Sequence, residues 1–234
     1  MLSGAGERME RSTGSVIGDV LPLAVGIAIS PIPIIAVILM LLSPHAKGTS
    51  VGFMIGWIAG VVVAIVLFTL LSSVIPKGTG GPSPIGAVIK IIVGALLLFL
   101  ALKQWRARPA KGEQPTMPKW MSAIDTMTAG KAIGLGLLLS AVNPKNLLLA
   151  VSAGLIVGGA GLTFSQTSVV IIIFVLLAAC TVIIPVIGYL IASARLAGPL
   201  DKLREWLVEN NATIMAVLLL VIGVAVIGKG IGSF

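Results

Sequence analysis

Charge is what this sequence has least of: of 234 residues only 10% are Asp, Glu, Lys or Arg, against about 25% in a soluble domain. So few charges cannot coat a water-facing surface of this size, and with 57% hydrophobic residues the medium around most of the chain must be lipid. Cys180 is the one cysteine, which excludes an intrachain disulfide; with His45 as the one histidine, a Cys/His metal cluster is excluded as well. Carboxylates are missing from the middle of every apolar stretch: Asp19, Asp125, Asp201 and the glutamates at 7, 10, 113, 205 and 209 all fall near segment ends or in connections. There is no G-x-x-x-x-G-K-[ST] loop, so the chain itself does not hydrolyse ATP. Without an acid/base pair or a Ser-His-Asp set, no enzymatic activity and no cofactor are expected. The net charge of +8 would suggest nucleic acid in a soluble protein, but membrane proteins keep Lys and Arg in their cytoplasmic loops, and no nucleic-acid partner is expected.

What the sequence does have is apolar length. A spanning helix needs about 20 predominantly apolar residues, and six stretches qualify, at 16–42, 50–75, 84–103, 130–157, 167–194 and 212–231. Runs such as VVVAIVLFTLL do not alternate as the strands of a β-barrel would, so the expected class is an all-α membrane protein of one domain, residues 1–234. The polar first fifteen residues show no small-residue cleavage pattern, and the apolar run to Leu42 is too long for a secretory core, so it reads as a retained first span. Basic residues set the orientation. Lys103, Arg106, Arg108, Lys111, Lys119 and Lys131 around the 104–129 linker, with Arg195, Lys202, Arg204 and Lys47, make ten on one side. Arg8, Arg11, Lys77 and Lys229 make four on the other, so loop 104–129 is expected in the cytoplasm and both termini outside. Trp105, Trp120 and Trp206 fall at the cytoplasmic ends as interfacial anchors, and 199–209 (PLDKLREWLVE) reads as an interfacial helix with a Leu200, Leu203, Leu207 stripe.

The halves echo each other. LPLAVGIAISPIPIIAVILMLL and AIGLGLLLSAVNPKNLLLAVSAGL each carry glycine, a serine (Ser30, Ser140) and a proline break, with Pro33 aligned to Pro144. An odd number of spans separates the equivalents, so repeat one (16–103) and repeat two (130–231) must run in opposite senses, as in secondary transporters whose sites use broken helices. The expected fold is therefore six transmembrane helices as two inverted three-helix repeats, the first helix of each broken at proline. From Ile17 to Pro31 and from Gly130 to Pro144 the count is the same, about 21 Å at helical rise, which puts both breaks near the bilayer centre.

Asn143-Pro144-Lys145-Asn146 carries most of the chemistry, because an ionisable residue inside a membrane segment is a functional candidate by default. Lys145 has no carboxylate nearby in the sequence and is too deep to snorkel, which leaves loss of its proton or a negative charge brought by the substrate. Ser30, Pro31, Pro33, Asn143, Pro144, Lys145 and Asn146 are the expected substrate-binding residues. Lys90, shallower, is expected first to snorkel; turned inward, it would be a second basic contact on the same route. The 75–84 connection (IPKGTGGPSP) either gates or merely connects, and Thr181, Pro185 and Tyr189 mark a further kink. Gly52, Gly56 and Gly60 form a double GxxxG, which calls for close helix packing.

With Ser30-Pro31-Ile32-Pro33, the Ser43-Pro44 turn, the glycine triplet and Asn143-Pro144-Lys145-Asn146 in place, the chain from about residue 18 onward resembles the lysine-exporter (LysE) superfamily. Within it, the chain is most similar to the GAP family, described as addressing or exporting glycopeptidolipid and sulfolipid in actinobacterial envelopes. The resemblance implies a multi-pass protein of the bacterial inner (plasma) membrane. It also implies a transporter or flippase exporting an anionic, lipid-linked envelope substrate, with membrane lipids, a second copy of the chain or lipid-export proteins as partners. The sequence departs from the cation-exporting branches in lacking acidic residues in its spans, and from the thiol-transferring branch in lacking paired cysteines. Export of a small solute, amino-acid-like or an ion, and a non-transporting scaffold role in a lipid-export assembly are the alternatives.

Overall fold

A proline has no backbone N–H and forces the residue before it out of the α region, so Ser30-Pro31 and Asn143-Pro144 should each end one helix and begin another. The computed structural model, which describes residues 12–73, 84–109 and 119–233, breaks at both places. Helix α1 (Thr13–Ala28) gives way to α2 (Pro31–Leu42), and α5 (Ala129–Ala141) to α6 (Pro144–Gly159). Ser30 (φ −69°, ψ 113°) and Asn143 (φ −62°, ψ 121°) are extended cap residues, each followed by proline in the first helical turn. The two pairs bend by 51° and 60°. The counterpart of Pro144 is thus Pro31, two residues before the Pro33 that the repeat alignment selects; Pro33 is buried within the first turn of α2.

Helix α3 (Ala46–Ser73) and α4 (Pro84–Arg106) follow the first pair, and a short 3-10 segment (Lys119–Thr126) precedes the second. From Phe164 to Ile231 the chain stays helical, but Ala192 (φ −139°, ψ 48°) kinks it into α7 (Phe164–Ser193) and α8 (Arg195–Ile231). Four helices, α3, α4, α7 and α8, are long and apolar enough to cross a membrane, and up to 6 spans result if each bent pair is one. Among the described residues all regular structure is helical.

The stretch 199–209 is helical as expected, but it is the first part of α8 and not separate from the last span. The 37 residues of α8 run without a break into the last apolar stretch, about 55 Å against about 30 Å of hydrocarbon core. Leu200 and Leu207 turn into the protein core, and only Leu203 of that stripe stays exposed. Trp105 and Trp206 are exposed, the former with the Arg108 guanidinium 3.2 Å above its ring.

Each bent pair packs on the long helices of the other half: α5 and α6 on α3, α1 and α2 on the α7–α8 helix, along which α4 also lies. The α3–α5 seam is the tightest. A Cβ on Gly56 would collide with the Ile133 carbonyl, and one on Gly136 with the Phe53 carbonyl, so the two backbones touch with no side chain between them. Around the outside, Val63, Leu70, Phe99, Ile184 and Val221 are exposed apolar side chains, part of a surface that water could not solvate without aggregation.

At one end of the bundle the Lys229 ammonium reaches the Asp19 carboxylate at 2.9 Å, and Lys90 Nζ donates to Ser233 Oγ at 3.1 Å. These contacts tie together the starts of α1 and α4 and the end of α8. At the opposite end the starts of α3 and α5 and the last turn of α7 surround a groove of about 800 Å³, lined by His45, Lys47, Thr128, Tyr189 and Ser193. Residues 74–83, with the gating or connecting role of 75–84, lie outside the described residues, as do Arg8, Arg11 and the middle of the basic linker.

Candidate functional site at two helix breaks

A helix that stops inside the protein strands its last carbonyls, and in lipid no water is at hand to satisfy them. In α1, Ile27 O loses its usual donor because Pro31 has no N–H, and Ser30 N turns back to it at 3.2 Å. That diversion leaves Gly26 O, and the break before α2 leaves Ala28 O, without helical partners. Side chains from distant helices supply them. Lys145 Nζ, from the first turn of α6, donates to Gly26 O at 2.6 Å, and Thr181 Oγ1, from α7, donates to Ala28 O at 2.6 Å. At the second break Asn146 Nδ2 donates to Leu139 O of α5 at 3.1 Å, and Asn143 Oδ1 accepts from Lys145 N at 3.0 Å.

The two breaks therefore meet, and Lys145 joins them. Its residue exposure is 2%, that of Asn146 1% and that of Ser30 2%. The unpaired ammonium anticipated from the sequence is corrected in one respect: it has a neutral acceptor, Gly26 O, at the carbonyl end of α1. That pole of a helix carries partial negative charge, so a cation is favoured there. Among the described residues no carboxylate pairs with Lys145. Asn146 Oδ1 is buried with no hydrogen-bond partner among them. The ammonium has three donors, of which Gly26 O takes one, and the amide oxygen of the next residue is a spare acceptor.

Of the expected site residues, Ser30 and Pro31 are at the first break, and Asn143, Lys145 and Asn146 at the second. Pro144 is exposed on the outward side of α6. Lys90 is elsewhere. Its ammonium reaches Ser233 near the end of α8, and it lines a separate cavity of about 20 Å³, one water in size, with Asp19, Pro22, Ser152 and Lys229. That cavity sits further along the same α6 face as Lys145, with the fully buried Leu149 in between. The sequence reading missed Gly26 and Ala28 as acceptors and Asp19–Lys229 as a pair. Thr181 stood out as a hydroxyl in a kinked apolar segment, but its acceptor did not.

The fold and the site define a multi-pass helical membrane protein built around two broken helices that share one buried lysine. Residues 20–232 match the family described as Sap, sulfolipid-1-addressing protein, and the chain belongs to that family. No curated protein and no solved structure matches the chain.

Proposed function

We propose that this chain crosses the bacterial inner membrane six times, as two inverted three-helix repeats of the lysine-exporter type, and works as a transporter or flippase for an anionic, lipid-linked envelope substrate. The observation that carries this reading is the Lys145–Gly26 contact, a buried cation shared by two helix breaks. Supporting the inverted repeat, each bent pair packs on the long helices of the other half, an exchange that a two-fold relation would produce. The family's description supports a sulfated lipid as the class of substrate.

In this reading the negatively charged head replaces Gly26 O as the partner of Lys145. A charged acceptor makes a stronger hydrogen bond than a carbonyl, which gives the exchange its direction. The released Gly26 carbonyl then loosens α1 from α6, coupling occupancy to movement between the repeats. Asn143, Asn146 and Ser30 supply hydrogen bonds around the head, and the positive poles of α2 and α6, both starting at the breaks, favour its charge.

The test is export by Lys145→Ala, Lys145→Arg and Lys145→Glu at matched membrane abundance. Losing a charge-assisted hydrogen bond to the substrate lowers export about 10-fold to 100-fold in the Ala variant, and more with Glu. Export unchanged in both Ala and Glu removes Lys145 from the mechanism. Purified protein in vesicles separates a transporter from a scaffold: movement of lipid only when a second protein is added makes the chain an accessory subunit.

A further inference from the structure

On the side of α6 away from Lys145 a second feature opens, a groove of about 460 Å³ between α3, α4 and α6. Phe68 forms one wall, Leu96 and Phe99 the second, and Pro144, Leu148 and Val151 the third; every lining residue is apolar. The groove opens sideways, out of the bundle: Leu96 is 45% and Phe99 64% exposed on the same apolar surface that marks the chain as membrane-embedded. It also begins at the break. Pro144 is the first residue of α6, next to the half-buried Asn143, and the preceding Val142 is exposed. Helix periodicity divides the labour on α6: 144, 148 and 151 face the groove, while 145, 149 and 152 face the core.

We propose that this groove is an acyl-chain subsite: one hydrocarbon chain of the anionic lipid lies along α6 while its head reaches the break between α5 and α6. The proposal rests on the transport reading above for the identity of the head. Three observations select this occupant. The groove runs along α6 only from Pro144 to Val151, about 10 Å of helix, too short to seat another transmembrane helix. Its walls offer no polar group to a water-soluble partner. And it starts at the break itself, at Pro144 next to the half-buried Asn143, which puts a polar side chain at the end of an apolar trough.

The probe is phosphatidylglycerol with a diazirine in one acyl chain, diluted in phosphatidylcholine nanodiscs holding the full-length protein, with labelled residues mapped by mass spectrometry. Labels are expected to concentrate on residues 96–100 and 147–151 over Val221 and Val224, which are exposed on α8. Leu148→Trp and Leu96→Trp, which fill the groove from two different helices, should each lower that labelling about tenfold, equivalent to about 1.4 kcal/mol. Val221→Trp should leave it unchanged. Labels spread evenly around the bundle, or groove labelling indifferent to both tryptophans in monodisperse protein, overturn the proposal. Export by the Lys145 variants reports on the central site alone. Groove labelling combined with export indifferent to Lys145 keeps the subsite and removes the central-site reading, whereas even labelling with Lys145-dependent export does the reverse.

Discussion

Lys145, Thr181 and Asn146 share one job at the breaks, which is to donate to carbonyls of the interrupted helices. Thr181 isolates that job, because its hydroxyl touches Ala28 O and has no part in the proposed exchange at Lys145. Thr181→Val leaves a buried carbonyl unpaired and should cost about 1–3 kcal/mol, read as a lower melting temperature in detergent, while Thr181→Ser keeps the Oγ and most of the stability. Equal melting of the two variants would mean that water or backbone movement satisfies Ala28. This scale also shows what the sequence could reveal. Lys145 was legible because a cation in an apolar stretch has few explanations. Gly26 and Ala28 were not, because a carbonyl belongs to every residue and becomes an acceptor only when a distant helix brings a donor, 119 and 153 residues away here.

Among the elements, the breaks were legible and one join was not. Ser30-Pro31 and Asn143-Pro144 act locally, through a ring and a missing donor, so the chain shows them without its neighbours. At 199–209 the sequence reads as an interfacial helix apart from the last span, with Pro199 near its start. In the structure Pro199 is the fifth residue of α8 and lies inside the helix, which forgoes one hydrogen bond there, and Arg204 pairs with Asp201 at 2.9 Å along the helix. Tertiary packing of Leu200 and Leu207 then carries the helix through. Glycines give a sharper test at this scale. Gly56→Ala places a methyl against the Ile133 backbone and should abolish folded protein in the membrane or strongly depress its melting temperature. Gly18→Ala, on an exposed turn of α1 with nothing within 4 Å, should be neutral or stabilise by about 0.5–1 kcal/mol. If both behave alike, α3 and α5 do not touch in the native protein.

For the molecule as a whole, hydrophobic stretches spoke for a bundle, but which ends share a face came only from contacts between distant residues. Asp19 and Lys229 are 210 positions apart, and neither looks remarkable alone. Their pairing puts the start of α1 and the end of α8 together, with His45 and Lys47 at the far end. In a Cys180→Ala background, single cysteines at Lys47 and at Ser233 should therefore react with an impermeant maleimide from opposite sides of the membrane. Labelling of both from one side would make the bent pairs re-entrant rather than spanning.

The glycine seam between α3 and α5 also has a mechanical side. With backbone against backbone there is no cushion of rotatable groups to absorb a change of angle, so those two helices must travel together as a stator. The contact of α1 with α6 is of another kind: the aliphatic tip of Leu149 against Gly26, with Ile222 of α8 beside it, and one lysine hydrogen bond. On the transport reading proposed above, the working stroke is steered to the softer joint, and a cross-link locking α3 to α5 should leave turnover intact where one locking α1 to α6 would stall it.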